Sequence, residues 1–309
     1  MTDFFNYAQL IIGPAGSGKS TYCKIIQSHA LTNKRTIKVI NLDPAAENIS
    51  YNCYIDIRDL INVEDVMEKK NIGPNGALVY CMDYINLKFN WLEDKINELG
   101  ENTYFLIDCP GQLELYSHYN VMCKIIDKLK KIGVNVMSVF CLDSTFTTEY
   151  SKFISGTTLA LASMIQLNIP HLNVLTKADL INNEEALESL RDIDVKDLLI
   201  KEKSLQNINN KNSDKDSFFE LNKVLVDLLD NFSLVQLVPL NVLDEESINE
   251  ILYLCDNNLQ YFENQEPRED YYDNAEKILE DNQEYSMDYN ELYSNEYTNK
   301  DYKYSKDIF

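Results

Sequence analysis

Gly13-Pro14-Ala15-Gly16-Ser17-Gly18-Lys19-Ser20, near the start of the chain, has the residue types and spacing that hold phosphate. Glycines let successive backbone N–H groups curl around an anion, and the N-terminus of a following helix adds partial positive charge. In such a G-x-x-x-x-G-K-[ST] loop, Lys19 neutralises β- and γ-phosphate oxygens and Ser20 offers its hydroxyl to Mg²⁺. Gly13, Gly16, Ser17, Gly18 and Thr21 complete the candidate nucleotide contacts. A second constellation, Asp108-Cys109-Pro110-Gly111-Gln112, ends the apolar run "TYFLI" (103–107). An acid at that place holds the Mg²⁺ shell, Gly111 supplies an N–H and a hinge near a γ-phosphate, and Gln112 orients an attacking water. The plainer reading of Asp108 is an N-cap at an ordinary strand–helix turn.

A third stretch, Thr176-Lys177-Ala178-Asp179, follows the buried-looking run "PHLNVLT" (170–176). In an [NT]-K-x-D pattern, Asp179 accepts from the ring N–H and the exocyclic amine of guanine. Adenine lacks that amine and has an acceptor at the ring position, so the pairing fails. Losing such a pair costs about 2–5 kcal/mol, enough to choose GTP over ATP. Lys177 lays its alkyl stem along the base plane. Thr176 stands where a carboxamide is common, and its hydroxyl makes fewer contacts.

The elements that must position these residues alternate. "YAQLII" (7–12), "TIKVINL" (36–42), 103–107, "VNVMSVFCL" (134–142), 170–176 and "LVQLVPL" (234–240) read as strands. Segments 20–31, 58–70, 88–99, 114–131, 147–167 and 217–230 carry apolar residues at helical spacing. Strands separated by helices predict an α/β fold, a mostly parallel sheet with helices on both faces. Residues 204–217, "SLQNINNKNSDKDS", are expected to form a polar loop within a helical insertion at about 180–232. The apolar pattern ends near 262. Residues 263–309 hold fourteen acidic against five basic residues and eight of the twenty tyrosines, a composition that predicts disorder or ordering only on a partner.

Composition narrows the function classes. The 309 residues carry a formal charge of −22, which argues against general affinity for nucleic-acid phosphate. Seven scattered cysteines without a C-x-x-C pair point to a reducing compartment, and three distant histidines give no zinc spacing. "MTDFFNYAQLII" is too short and acidic for a signal peptide, and no run approaches membrane length. The expected location is cytoplasmic, with nuclear access open.

Two acids and one turn remain. Asp43 in "VINLDPA" lies just past the second strand, on the carboxyl edge where α/β sheets bind ligands, or else caps a turn before Pro44. Gly73-Pro74-Asn75-Gly76 reads as a glycine-bracketed turn presenting one carboxamide; alone it is an ordinary loop. Glu47, Asp56 and Arg58 are weaker candidates, since "DIRD" also suits a helix start with favourable end charges.

Taken in order, the phosphate loop, "NLDPAAE" (41–47), "DIRDLINVEDVME" (56–68), "GPNG" (73–76), "DCPGQLELY" (108–116), "TKAD" and "VPLNVLDEESI" (238–248) resemble the GPN-loop GTPases over residues 1 to about 265, and most closely the third eukaryotic branch of that family. The resemblance implies a P-loop NTPase G domain over 1–262, cofactors GTP/GDP and Mg²⁺, and a dimer whose two sites face each other, either homodimer or heterodimer with a sister GPN-loop GTPase. It implies that Gly73, Pro74 and Asn75 reach across the interface, with Asn75 stabilising transferred phosphoryl in the partner's site. It makes Asp43 a catalytic or Mg²⁺-shell acid working with Gln112, and sets Leu240 and Asn241 near the base. It also implies assembly and nuclear import of RNA polymerase II, with polymerase subunits as partners and neither direct nucleic-acid nor membrane binding. A P-loop kinase and a nucleotide-dependent scaffold with negligible turnover remain the alternatives. A kinase needs neither guanine selection nor a positioned water.

Overall fold

Short Val-, Ile- and Leu-rich runs cannot stand alone in water, and here they line up in one sheet. The computed structural model describes residues 6–147, 150–180, 224–225 and 236–261. Among them, β1 (Asn6–Ile12), β2 (Ile37–Asn41), β3 (Cys53–Asp56), β4 (Tyr104–Asp108), β5 (Val134–Asp143), β6 (His171–Thr176) and β7 (Leu237–Pro239) take the order β3-β2-β4-β1-β5-β6-β7. Every described pair is parallel. The helices are α1 (Lys19–Thr32), α2 (Val63–Lys70), α3 (Pro74–Leu87), α4 (Phe89–Glu98), α5 (Glu114–Ser117), α6 (Val121–Lys131), α7 (Tyr150–Leu167) and α8 (Glu245–Asn258).

Alternation along β1 divides the helices between the two faces. Ala8, Leu10 and Ile12 join a core with Met82 and Ile85 of α3, Ile125 and Leu129 of α6, and Phe153 of α7. Gln9 points the other way and accepts from the Tyr22 hydroxyl of α1 at 2.9 Å, beside Cys255 of α8. Helices therefore cover both faces, which is why the strands read as near-continuous apolar runs.

Parallel register brings the carboxyl ends of the strands into one row. Asp108 of β4 pairs with Ile11 of β1 and with Asn41 of β2, and Asn41 pairs with Asp56 of β3. On the other side of β1, Asp143 of β5 pairs with Thr176 of β6. Because β1 lies between β4 and β5, the loop after β1 opens at the point where chain order reverses, the usual ligand crevice of such sheets.

Three sequence readings need correction. Gly73–Gly76 is not a glycine-bracketed turn but the start of α3: Gly73 is its N-cap at φ −71°, Pro74 its first residue, and Gly76 stands inside it. Proline at the first helical position loses no hydrogen bond there, and Ala77, Leu78, Cys81, Met82 and Ile85 bury one helical face. "CYID" (53–56) is an edge strand that the periodicity did not reveal. The helical patterns over 58–70 and 114–131 are each broken, the first into a 3₁₀ turn (Ile57–Asp59) and α2, the second into α5 and α6. The insertion at about 180–232, except Val224 and Leu225, the helix expected over 217–230 and the 263–309 tail lie outside the described residues.

Candidate functional site

The loop between β1 and α1 is shaped by close approach. Gly13 sits at φ +138°, and a Cβ there would lie 2.3 Å from the Cys141 carbonyl oxygen of β5, so only glycine fits. Gly16 and Gly18 also take positive φ, at +76° and +86°. Lys19 Nζ donates to the Gly13 and Pro14 carbonyls at 3.1 and 2.9 Å, bridging the loop's mouth. Ser17 is buried, and its hydroxyl has no partner among the described residues. Thr21 follows in the first turn of α1, exposed.

On the β4 side, Ser20 Oγ donates to Asp108 Oδ2 at 2.7 Å, and Tyr51 Oη donates to the same oxygen at 3.0 Å. Burial raises the Asp108 carboxyl above its ordinary range, opposed by these two hydrogen bonds and by Lys19. Burial likewise raises Asp43, opposed by the Ala45 N–H and again by Lys19, so two acids and one lysine share the crevice. The turn-capping reading of Asp43 is realised: its Oδ1 accepts from Ala45 N at 2.9 Å. The two readings do not compete, because the turn aims the carboxyl.

The segment after Asp43 is braced from β3. Asn41 Nδ2 donates to Asp56 Oδ1 at 2.9 Å, and Asn41 Oδ1 accepts from Asp43 N at 3.1 Å. Arg58 grips Asp56 with Nε and Nη2 and donates through Nη1 to the Ala46 carbonyl at 2.8 Å. Asp56 thus caps a short turn and, through Arg58, ties down residues 46–47.

Gly111 is pressed onto the phosphate loop: a Cβ there would lie 2.9 Å from Ala15 Cα. The Tyr116 hydroxyl donates to the Pro110 carbonyl at 2.5 Å, holding the turn from below. Gln112 follows, with its Oε1 buried and without a partner among the described residues.

On the β6 side, Thr176 Oγ1 donates to the Ser17 carbonyl at 2.7 Å and lies 3.1 Å from the Leu142 carbonyl. The threonine that departs from the common carboxamide is therefore fastened to the phosphate loop. Lys177 takes φ +58°, its ammonium pairs with Asp143, and Ser144 Oγ donates to its carbonyl at 3.0 Å. Ala178 N donates to the Leu240 carbonyl at 3.2 Å, which sets the 240–241 loop beside this motif, and the Asn241 side chain accepts from Leu243 N within that loop. Asp179 is exposed at the rim.

Asn75 stands apart from this assembly. It is exposed in the first turn of α3, and its carboxamide has no hydrogen-bond partner among the described residues. Two site residues escaped the sequence reading. Asp143 ends a strand at the carboxyl edge, the same signal that marks Asp108, and was open to discovery. Tyr51 is a lone aromatic in a loop and carried no signal.

A family model described as a conserved hypothetical ATP binding protein matches residues 11–261. The chain is 43% identical over 266 residues to GPN-loop GTPase 3 of Dictyostelium discoideum, covering 85% of this chain and 90% of that protein. It is 42% identical to GPN-loop GTPase 3 of Danio rerio, covering 85% and 91%. The chain belongs to the GPN-loop GTPase family. The crystal structure of a GTPase in apo form from Pyrococcus abyssi has the same fold, with a TM-score of 0.65 at 23% identity, covering 82% of this chain and 97% of that one. As a GPN-loop GTPase of the third branch, the chain has its phosphate loop, acidic edge and T-K-x-D motif in one crevice, and its name-giving tripeptide on a helix N-terminus outside it.

Proposed function

We propose that this GPN-loop GTPase hydrolyses GTP to GDP and phosphate as one of two facing protomers. The observation that carries the choice of guanine is the Thr176–Ser17 hydrogen bond, which builds the base-selecting motif directly onto the phosphate loop. The ATP named in the family description and the GTP named for the relatives make opposite demands on Asp179, and only guanine offers it two donors.

The residues divide the work. Lys19 exchanges its Gly13 and Pro14 carbonyls for β- and γ-oxygens, and the unpartnered Ser17 hydroxyl is left to meet phosphate. Ser20 and Asp108, with Asp43 beside them, would hold Mg²⁺, which supplies positive charge on the β- and γ-oxygens when bound. A hard oxygen donor set of one hydroxyl and two carboxylates fits that ion. Gln112 Oε1, buried and without a partner, accepts from the attacking water, and Asp43 takes up its proton. Asn75 from the facing protomer donates to the charge that develops on the γ-oxygens; Pro74 at the helix start holds it ready. Residues 1–262 form the GTPase domain in this reading, with the insertion at about 180–232 and an acidic tail beyond. The role in assembly and nuclear import of RNA polymerase II, the sister GTPase as partner and a cytoplasmic location with passage to the nucleus rest on the family resemblance alone.

Single-turnover hydrolysis with protein in excess tests this. GTP is expected to be consumed and ATP left intact, with Asp179→Asn eroding that preference by about thirtyfold, about 2 kcal/mol. Equal rates on ATP, or transfer of phosphate to an acceptor other than water, would sink the reading in favour of a kinase.

A further inference from the structure

The loop between β2 and β3 is fastened to the site at its far end as well as at Asp43. Tyr51 is 8% exposed, and its hydroxyl shares Asp108 Oδ2 with Ser20. The next residue is clasped by α1: Asn52 N donates to Gln27 Oε1 at 2.9 Å, and Gln27 Nε2 donates to the Asn52 carbonyl at 2.9 Å. Gln27 itself is buried, two turns along the helix that begins with Lys19. Residues 45–50 between the two anchors include the exposed Ala45, Glu47, Asn48 and Ser50.

We propose that Tyr51 is a positioning residue for the acid of the metal site, its hydroxyl fixing the Asp108 carboxylate and coupling the order of residues 44–50 to Mg²⁺-nucleotide binding. A carboxylate that accepts from two hydroxyls has lost its freedom to rotate, and partners of this outer kind set both ligand orientation and metal affinity. Asp108 then answers to two elements, α1 through Ser20 and the β2–β3 loop through Tyr51. Displacement of either hydroxyl is felt by the other through one oxygen. The inference rests on the guanine-nucleotide reading of the site.

The test is GDP affinity of the purified chain, measured by calorimetry with excess MgCl₂ and again in EDTA. Tyr51→Phe keeps the buried ring and removes only the hydroxyl. It is expected to lose about tenfold of the Mg²⁺-dependent gain in GDP affinity while its affinity in EDTA stays that of the parent. Amide exchange over residues 44–50 in the Mg²⁺-GDP state is expected to quicken in the same variant. Tyr54→Phe, an exposed tyrosine on β3, is expected to change neither. If the parent gains affinity with Mg²⁺ and Tyr51→Phe gains as much, the hydroxyl is structural only and the proposal falls. Equal losses with and without Mg²⁺ overturn it too. A parent that does not bind GDP at all overturns the nucleotide reading itself.

Discussion

Single side chains do two jobs at several points of this crevice, and Thr176 is the plainest. Its hydroxyl spends its one proton on the Ser17 carbonyl, and its Cβ lies 3.5 Å from where a Gly18 side chain would begin. Thr176→Val keeps the shape and strands the Ser17 carbonyl in a buried place, which costs about 1–3 kcal/mol. A drop of tenfold or more in GTP affinity is expected by calorimetry, with a smaller loss of thermal stability than of affinity. At this same scale, sequence and structure agree best where backbone geometry forces the residue: Gly13 has nowhere to put a Cβ. They agree least for Tyr51, which stands fifty-seven positions before Asp108 in the chain.

Elements act through their ends. Gly111 and Ala15 meet where the loop after β4 touches the loop after β1, and a Cβ on Gly111 would press on backbone that cannot step aside. Gly111→Ala is therefore expected to slow hydrolysis more than tenfold while leaving GDP binding nearly intact, since it displaces Gln112 rather than the phosphate loop. At the opposite end of β6, His171 is held neutral: burial lowers its pKa to about 4, against the opposing hydrogen bond to Asn173. The unfolded chain binds this proton near pH 6.5 and the native state does not until about pH 4, so stability falls as pH drops through that window. Its share amounts to about 3 kcal/mol across the window, and urea denaturation from pH 7.5 to 4 should show a shallower decline in His171→Asn. The strands were legible at this scale because parallel sheets bury both faces. The edge strand β3 was not, being four residues long with mixed burial. Helix α3 hid behind two glycines and a proline that signal a turn in sequence but a helix start in space.

Across the whole molecule, α8 and Tyr261 are pinned to the sheet far from the phosphate loop. Arg35 donates to Asp256 through Nη1 and Nη2 at 2.5 and 2.8 Å, and its guanidinium lies 4.6 and 4.2 Å from the centres of the Tyr104 and Tyr261 rings. Asp256 is fully buried, so Arg35→Met leaves an unpaired buried carboxylate and is expected to cost about 3–5 kcal/mol in a urea melt. Adding Asp256→Leu should recover most of that loss. The facing-protomer arrangement is tested at the same scale. Asn75→Ala is expected to slow turnover and spare nucleotide affinity. Mixed with a nucleotide-dead Lys19→Ala chain, hydrolysis per working site should recover, because the dead protomer still presents an intact Asn75. No recovery, or sedimentation as a monomer during turnover, removes the cross-subunit role.

The sequence by itself determined the phosphate loop, the T-K-x-D motif and the alternation of strand and helix. Each of these is a local demand: glycine where a carbonyl crowds the backbone, a lysine one residue before the serine, an apolar run where both faces are buried. Only the tertiary structure decided that Thr176 bonds to the phosphate loop, that Asp143 steadies Lys177, that Asp56 and Arg58 brace the Asp43 segment, and that Tyr51 shares an oxygen with Ser20. Apart from the local Asp56–Arg58 pair, these contacts join loops and strand ends well separated in the chain, and register, not spacing, brings those strand ends into one row.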